Sequence, residues 1–301
     1  MRPISRRNFL FTTAAAAAAT LARAQDPAPE PIIDIHQHTD YSGRTDEQMI
    51  AHQRTMGVTH TVLLPAGRFY NLEAGASGND RVQEVARRLP SEYTFFANEV
   101  PYLSDAREEI RKWLQAGAKG IGEQKYQVDA DSRAIMLVGE IAKEFGVPVL
   151  LHFQFGRYNT GLEKFHLILE KFPTVNFIGH AQTWWANIDA KADQAVLYPK
   201  GPVTPGGITD RLLSDYPNMY SDTSAGSGLN AFLRDEDFTR GFFDRHQDKL
   251  LFGSDCNDSI GEGDKCTGSD LLKTIRRLVP SKAVERKILF ENAKRVLKLN
   301  V

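Results

Sequence analysis

The chain lacks the features that mark several large protein classes. It has only 2 cysteines in 301 residues, and its 37 Lys and Arg nearly balance its 38 Asp and Glu. The two cysteines do not have the spacing of a zinc ribbon, and two isolated thiols are weak evidence for any function. No basic block offers a footprint for nucleic acid. Beyond the N-terminus, no apolar run is long enough to cross a bilayer. We therefore expect no nucleic-acid partner and no membrane span in the mature chain.

The N-terminus has the composition of a bacterial export signal. Basic residues precede an alanine-rich apolar segment, residues 9–21, which ends at Ala22-Arg23-Ala24. This arrangement fits a cleavable signal peptide. The stretch Ser5-Arg6-Arg7-Asn8-Phe9-Leu10 resembles the twin-arginine signal, and an ordinary secretory signal is the alternative. We predict a signal peptide over residues 1–24, a proline-rich linker over 25–30 and a periplasmic or secreted protein.

Residues 31–301 alternate between predicted strands and predicted helices. Eight such βα units predict an α/β fold, a (β/α)₈ TIM barrel. An open doubly wound sheet is the alternative, but it favours a glycine-rich turn after the first strand, which here ends in histidines. The predicted strands after the first span residues 58–65, 93–100, 118–125, 147–153, 175–180, 219–222 and 250–255. Predicted helices include residues 189–197, 208–216 and part of 232–246.

Two histidines end the first predicted strand, in Ile33-Asp34-Ile35-His36-Gln37-His38. Residues two apart on a strand point to the same side, so both imidazoles face one place. Two neutral imidazoles provide half of a site for zinc or a similar divalent metal. A chance pair of polar residues at a strand exit is the alternative.

Other polar residues stand at later strand ends. Glu123, His152, His180 and Asp255 follow apolar runs that we predict as strands four, five, six and eight. In a parallel barrel these ends open on one face, which carries the active site. Four of the chain's 8 histidines lie at these positions. A single histidine there would be unremarkable, but five matching strand ends indicate a metal site.

The sequence resembles the amidohydrolase superfamily, and more closely its amidohydrolase-related branch, which includes aminocarboxymuconate semialdehyde decarboxylase-like enzymes. The motifs that carry the resemblance are Asp34-Ile35-His36-Gln37-His38, Leu151-His152-Phe153, Gly179-His180-Ala181 and Leu251-Phe252-Gly253-Ser254-Asp255. The resemblance covers nearly all of the mature chain. Its motifs are specific for the superfamily rather than for a substrate.

The resemblance implies one catalytic divalent metal held by His36, His38, His152 and Asp255, with zinc as the expected metal. His180 would act as an acid or base beside it or bind a second metal. Glu123 would bridge two metals or serve as an outer partner. A metal-activated water would attack the substrate, and Asp255 would accept its proton.

We expect a hydrolase that cleaves a C–O or C–N bond of a small lactone, ester or cyclic amide. A nonoxidative decarboxylase on the same metal site is the first alternative, and a catalytically silent metal-binding barrel is the second. Loop residues expected near the substrate are Arg68, Phe153, Arg157 and Trp184. The metal's identity, an oligomeric state and a disulfide between Cys256 and Cys266 stay open.

Overall fold

The structure is a computed structural model that describes residues 30–68, 75–263 and 265–301. The predicted signal peptide, residues 1–24, and the predicted linker up to residue 29 lie outside this described part. Within it, no helix has both the length and the apolar character needed to cross a membrane.

Eight parallel strands form the centre of the molecule. Consecutive strands pair in chain order within β1–β3 and within β4–β8. Ala97 pairs with Ile121 between β3 and β4, and the Ile35 amide donates to the Phe252 carbonyl at 3.0 Å, which joins β8 to β1. These contacts close the sheet into the predicted barrel. The strands are β1 Ile33–Gln37, β2 His60–Leu63, β3 Tyr93–Phe95, β4 Ile121–Gln124, β5 Val149–His152, β6 Phe177–His180, β7 Met219–Asp222 and β8 Leu250–Leu251.

Helices surround the barrel, and in five of those described an N-cap side chain accepts a backbone amide. Thr45, for example, accepts the Gln48 amide, and the Gln48 side chain accepts the Thr45 amide, which is a capping box. The helices are α1 Asp46–Thr55, α2 Asn79–Arg88, α3 Ala106–Gln115, α4 Arg133–Phe145, α5 His166–Lys171, α6 Gln182–Ala186, α7 Ile208–Asp215, α8 Ala225–Leu233, α9 Glu236–Arg245, α10 Thr267–Leu278, α11 Lys282–Arg286 and α12 Asn292–Val296, with a π-helical turn over Lys287–Glu291.

The helix predicted over residues 189–197 is wrong. The segment forms turns, because two aspartates bind nearby backbone amides instead of leaving them to a helix. Asp189 accepts the Lys191 amide at 2.9 Å, and Asp193 accepts the Ala195 amide at 2.9 Å. The short helix α6 precedes this segment.

The core has two layers. One apolar cluster joins barrel-lining residues of the strands, such as Ile35, Leu150 and Ile178, to the C-terminal helix, and a larger one joins the strands to the outer helices. The hydrogen-bond register shifts between Asp34 and Gln37 on β1, and again between Ile121 and Gln124 on β4. Such irregularities re-aim side chains next to active sites, and these two lie where the strands carry His36 and Glu123.

Candidate metal centre

Six side chains from five strand ends meet at one end of the barrel. His36 and His38 come from β1, Glu123 from β4, His152 from β5 and His180 from β6, while Asp255 follows β8. All except Asp255 are at least 96% buried. Within this cluster, His36, His38 and Asp255 form one group that could hold a metal ion, and His36, Glu123 and His180 form another. The structure thus places all six residues at one end of the barrel, but His152, which we expected to share a metal with His36, His38 and Asp255, is in neither group.

Hydrogen bonds at Nδ1 set the direction of two imidazoles. His36 Nδ1 lies 2.5 Å from Asp222 Oδ2, and His38 Nδ1 lies 2.7 Å from the Leu64 carbonyl oxygen. Both acceptors require a proton on Nδ1, which leaves an Nε2 lone pair on each neutral ring. The two Nε2 atoms are 3.2 Å apart. Two lone pairs at this distance require a cation between them, either a proton that one ring shares with the other or a metal ion that both rings bind.

Asp255 completes this group from the open side of the cluster. Its Oδ1 atom lies 3.8 Å from His36 Nε2 and 3.7 Å from His38 Nε2. That oxygen is buried and has no hydrogen-bond partner, which is a costly state for a carboxylate that no cation neutralises. The Asp255 side chain is 13% exposed, against 0–6% for the other five. A metal with an open position would therefore be reached next to Asp255.

Glu123 lies between two pairs of histidines. Its Oε1 atom is 2.5 Å from His152 Nδ1 and 3.6 Å from His180 Nε2. Its Oε2 atom is 3.8 Å from His36 Nε2 and 3.6 Å from His38 Nε2. Each oxygen thus faces its own pair, but the contact to His152 is a hydrogen bond, so a second metal position would lie beside Glu123, His36 and His180. His152 is linked to the first group by its hydrogen bond to the Glu123 carboxylate.

The electrostatics of the cluster favour bound positive charge. Burial opposes protonation of His36, but the carboxylates of Asp255 and Asp222 outweigh it and raise the pKa of His36 well above its usual value. Burial, reinforced by His36, lowers the pKa of His180 to about 4. Burial also opposes ionisation of Glu123, yet His152 holds its pKa well below the usual range. The centre therefore keeps Glu123 ionised and His180 neutral near pH 7.

Sequence reasoning missed three neighbours of this centre. Asp222 ends β7 and binds His36, and Ser224 Oγ lies 3.0 Å from His180 Nδ1. The Tyr41 ring lies 5.1 Å from the His38 ring. The charge of Asp255 raises the pKa of Tyr41, so its hydroxyl stays protonated. Asp222 satisfied the same strand-end criterion as the other residues, whereas nothing in the sequence pattern indicated Ser224 or Tyr41.

The expected substrate-pocket residues take different positions. Phe153 and Trp184 are fully buried in the core between the strands and the outer helices, and they stack on each other with ring centroids 5.8 Å apart. Because side chains alternate along a strand, Phe153 points away from the side that His152 faces. Arg68 binds Glu99 and Asp105. Arg157 is exposed, with its guanidinium 5.3 Å from the Tyr158 ring centroid.

The family model for amidohydrolases matches residues 33–299. This chain belongs to the amidohydrolase family. It is therefore an amidohydrolase-family enzyme, and enzymes of this kind generally act on small molecules with a divalent metal. A second family model, for the twin-arginine translocation signal, matches residues 3–22 and confirms the predicted signal type, which indicates export across a membrane. No curated protein matches the sequence.

Several solved structures share the barrel at low sequence identity. An uncharacterized TIM-barrel protein from Bordetella bronchiseptica is 16% identical, with a TM-score of 0.63 over 89% of this chain and 98% of that one. The 2,6-dihydroxybenzoate decarboxylase from Rhizobium is 14% identical, with a TM-score of 0.60 over 90% and 100%. A probable 2-pyrone-4,6-dicarboxylic acid hydrolase from Acinetobacter baumannii is 13% identical, with a TM-score of 0.62 over 89% and 99%. These likenesses confirm the fold.

Proposed function

We propose that this protein is an exported, metal-dependent hydrolase that cleaves a C–O or C–N bond of a small lactone, ester or cyclic amide. One observation carries the proposal. The unpartnered oxygen of Asp255 stands beside the facing Nε2 atoms of His36 and His38, at the most exposed edge of the cluster. A base is thus held next to a metal position that water can reach.

His36, His38 and Asp255 would hold the first metal, with Glu123 between it and the pair His152 and His180. Imidazole and carboxylate ligands with one open position suit zinc. The Glu123 geometry supports a second metal position alongside the one expected from the sequence. A bound divalent metal lowers the pKa of a coordinated water and so supplies hydroxide at neutral pH.

The chain's own residues would move the protons and orient the substrate. Asp255 accepts the proton released by the attacking water and returns it to the leaving atom. Neutral His180, held through Ser224, orients the substrate carbonyl or stabilises its developing negative charge. The protonated hydroxyl of Tyr41 is a further donor on the Asp255 side.

Cations near the cluster favour a substrate that carries a carboxylate. Lys125 Nζ and Arg157 Cζ lie 5.5 and 5.3 Å from the Tyr158 ring centroid. The Tyr158 ring in turn lies 5.5 Å from the His152 ring. This positive charge is separated from His152 by one aromatic ring and attracts anionic substrates. A lactone or ester with a free carboxylate is therefore our first choice.

Decarboxylation is the second candidate, and the Lys125 ammonium supports it, because it could bind the substrate carboxylate before carbon dioxide is released. Structures with this barrel include the 2,6-dihydroxybenzoate decarboxylase and the probable 2-pyrone-4,6-dicarboxylic acid hydrolase. The two reactions differ in the fate of water: hydrolysis places a water oxygen in the product, whereas decarboxylation releases carbon dioxide and places a solvent proton on carbon.

The experiment is a substrate screen in ¹⁸O-labelled water with carbon dioxide detection. We expect ¹⁸O in the new carboxylate, no carbon dioxide, and a loss of about 10²–10⁴-fold in kcat for Asp255→Asn. The matched control is Asp215→Asn, an exposed position at the end of α7. Carbon dioxide release with no ¹⁸O in the product would establish the decarboxylase instead. Turnover that survives complete metal removal would reject both.

A further inference from the structure

A second group of metal-binding side chains lies outside the catalytic cluster. His52 comes from α1, Cys256 follows Asp255 in the loop after β8, and Cys266 is the N-cap of α10. Their ligand atoms all lie within 4.8 Å of one another. The three side chains are 0–2% exposed. Two distant parts of the chain, α1 and the connection from β8 to α10, thus bury two thiols and an imidazole together.

The distances match the edges of a zinc tetrahedron. Cys256 Sγ and Cys266 Sγ are 3.7 Å apart, and Cys266 Sγ lies 3.4 Å from His52 Nε2. A tetrahedral Zn²⁺ with Zn–S of about 2.3 Å and Zn–N of about 2.0 Å requires about 3.8 Å between sulfurs and about 3.5 Å between nitrogen and sulfur. A disulfide would need the sulfurs at about 2.05 Å.

The hydrogen bonds around His52 leave a ligand lone pair on the side of the thiols. His52 Nδ1 lies 3.0 Å from Gln53 Oε1. The Gln53 amide nitrogen donates to Asp34 and to Thr61 at 2.8 and 2.9 Å, which fixes the amide oxygen toward His52. His52 therefore carries its proton on Nδ1, and Nε2 presents its lone pair to the sulfurs. Metal-binding histidines are oriented in this way.

The surroundings suit a thiophilic cation. Met56 Sδ lies 3.8 Å from Cys266 Sγ, so a third sulfur borders the position that the triad leaves open. Two thiolates neutralise a Zn²⁺ ion, which removes the cost of burying net charge. Soft sulfur ligands select zinc or monovalent copper over magnesium or calcium.

We propose that His52, Cys256 and Cys266 bind a structural Zn²⁺ ion, separate from the catalytic centre, that fixes the loop carrying Asp255. The Cys256 carbonyl accepts hydrogen bonds from Arg44 and from Gln37, so this loop is already tied to β1 and its following turn. The ion would add the connection to α1 and α10.

The experiment uses Co²⁺ as a spectroscopic substitute on the full-length mature protein after metal removal by a chelator. Thiolate ligands give cobalt a near-ultraviolet charge-transfer absorption that nitrogen and oxygen ligands do not. We expect this absorption in the wild type and in Asp255→Asn. Cys266→Ser should abolish it and lower bound metal by about one ion per chain. Serine keeps the acceptor that Cys266 offers to the Ser269 amide, so the cap of α10 is retained.

His52→Gln provides a second variant in case Cys266→Ser does not fold, and it should weaken cobalt binding and shift the absorption. His166→Gln is the matched control, since it makes the same substitution at a histidine of α5 outside both clusters, and it should leave cobalt binding unchanged. Three results would overturn the proposal: a cobalt spectrum without thiolate absorption, an unchanged spectrum in Cys266→Ser, or a wild-type mass lower by the two hydrogens of a disulfide.

Discussion

Replacing Asp222 by Asn should weaken the catalytic metal site without removing any ligand. Asp222 Oδ2 accepts the proton of His36 Nδ1 at 2.5 Å, and Oδ1 accepts the Ser224 amide at 2.9 Å. An Asn offers one oxygen and one NH₂ group, so one of these two donors must face another donor. The side chain is fully buried. The Gly253 backbone packs so closely on it that an added Cβ at Gly253 would lie 2.3 Å from Oδ1, so the Asn side chain has no room to rotate away.

The magnitude follows from the role of Asp222 behind a ligand. Loss of the acceptor that orients a metal-binding histidine typically weakens metal affinity by about 10–100-fold, equivalent to about 1.4–2.7 kcal/mol. A competition titration of zinc against a chromophoric chelator measures this change. Thermal unfolding of the metal-free proteins separates it from any loss of stability in the fold.

Asp215→Asn is the matched control, because it makes the same substitution at an exposed position. It should leave zinc affinity unchanged. If Asp222→Asn binds zinc within about twofold of the wild type, Asp222 does not orient His36, and the argument from fixed Nε2 lone pairs is wrong.

Three further changes test the packing and the polar contacts around the barrel. Burial raises the pKa of the Asp210 carboxyl, but the opposing interactions, led by the hydrogen bond to His246, together have the larger effect, so the pKa is lowered. Its stabilising contribution is therefore present above about pH 4 and lost below it, so the Tm difference between wild type and Asp210→Asn should shrink on acidification. Gly179→Ala should destabilise the fold by about 1–3 kcal/mol in denaturant titration, since the new Cβ would lie 2.5 Å from the Trp184 ring. Asn218→Ala should cost about 1–3 kcal/mol, because the Asn218 amide donates to three carbonyl oxygens at 3.1–3.2 Å near the end of α5. An unchanged denaturation midpoint in Gly179→Ala or in Asn218→Ala would contradict the packing or hydrogen bonding described for that residue. A Tm difference that does not depend on pH would contradict the Asp210–His246 contact.

Much of the fold could be predicted because local pattern and tertiary structure agree. Strands such as β5 and β6 are short apolar runs, and parallel strands put their ends on one face. His36, His152, His180 and Asp255 therefore converged in the structure as their positions along the chain indicated. The helix expected over residues 189–197 does not form, because aspartate side chains in this segment bind local backbone amides. Composition alone does not reveal these hydrogen bonds.

The finer geometry of the centre depends on contacts between distant segments. The register shift on β4 and the split of the Glu123 oxygens between two histidine pairs have no local signal. Similarly, no local signal indicates that Glu99 and Asp105 bind Arg68, which we expected to lie near the substrate. Phe153 could have been assigned to the core from strand alternation alone, since its neighbour His152 faces the site.

The most direct test of the metal centre is a crystal structure of the protein loaded with zinc, with anomalous difference maps at the zinc edge. We predict a peak bounded by His36 Nε2, His38 Nε2 and Asp255, and a second peak beside Glu123 and His180 would show that the second position is used. A map from zinc-saturated, active crystals with no peak between the Nε2 atoms of His36 and His38 would contradict the assignment of the catalytic site.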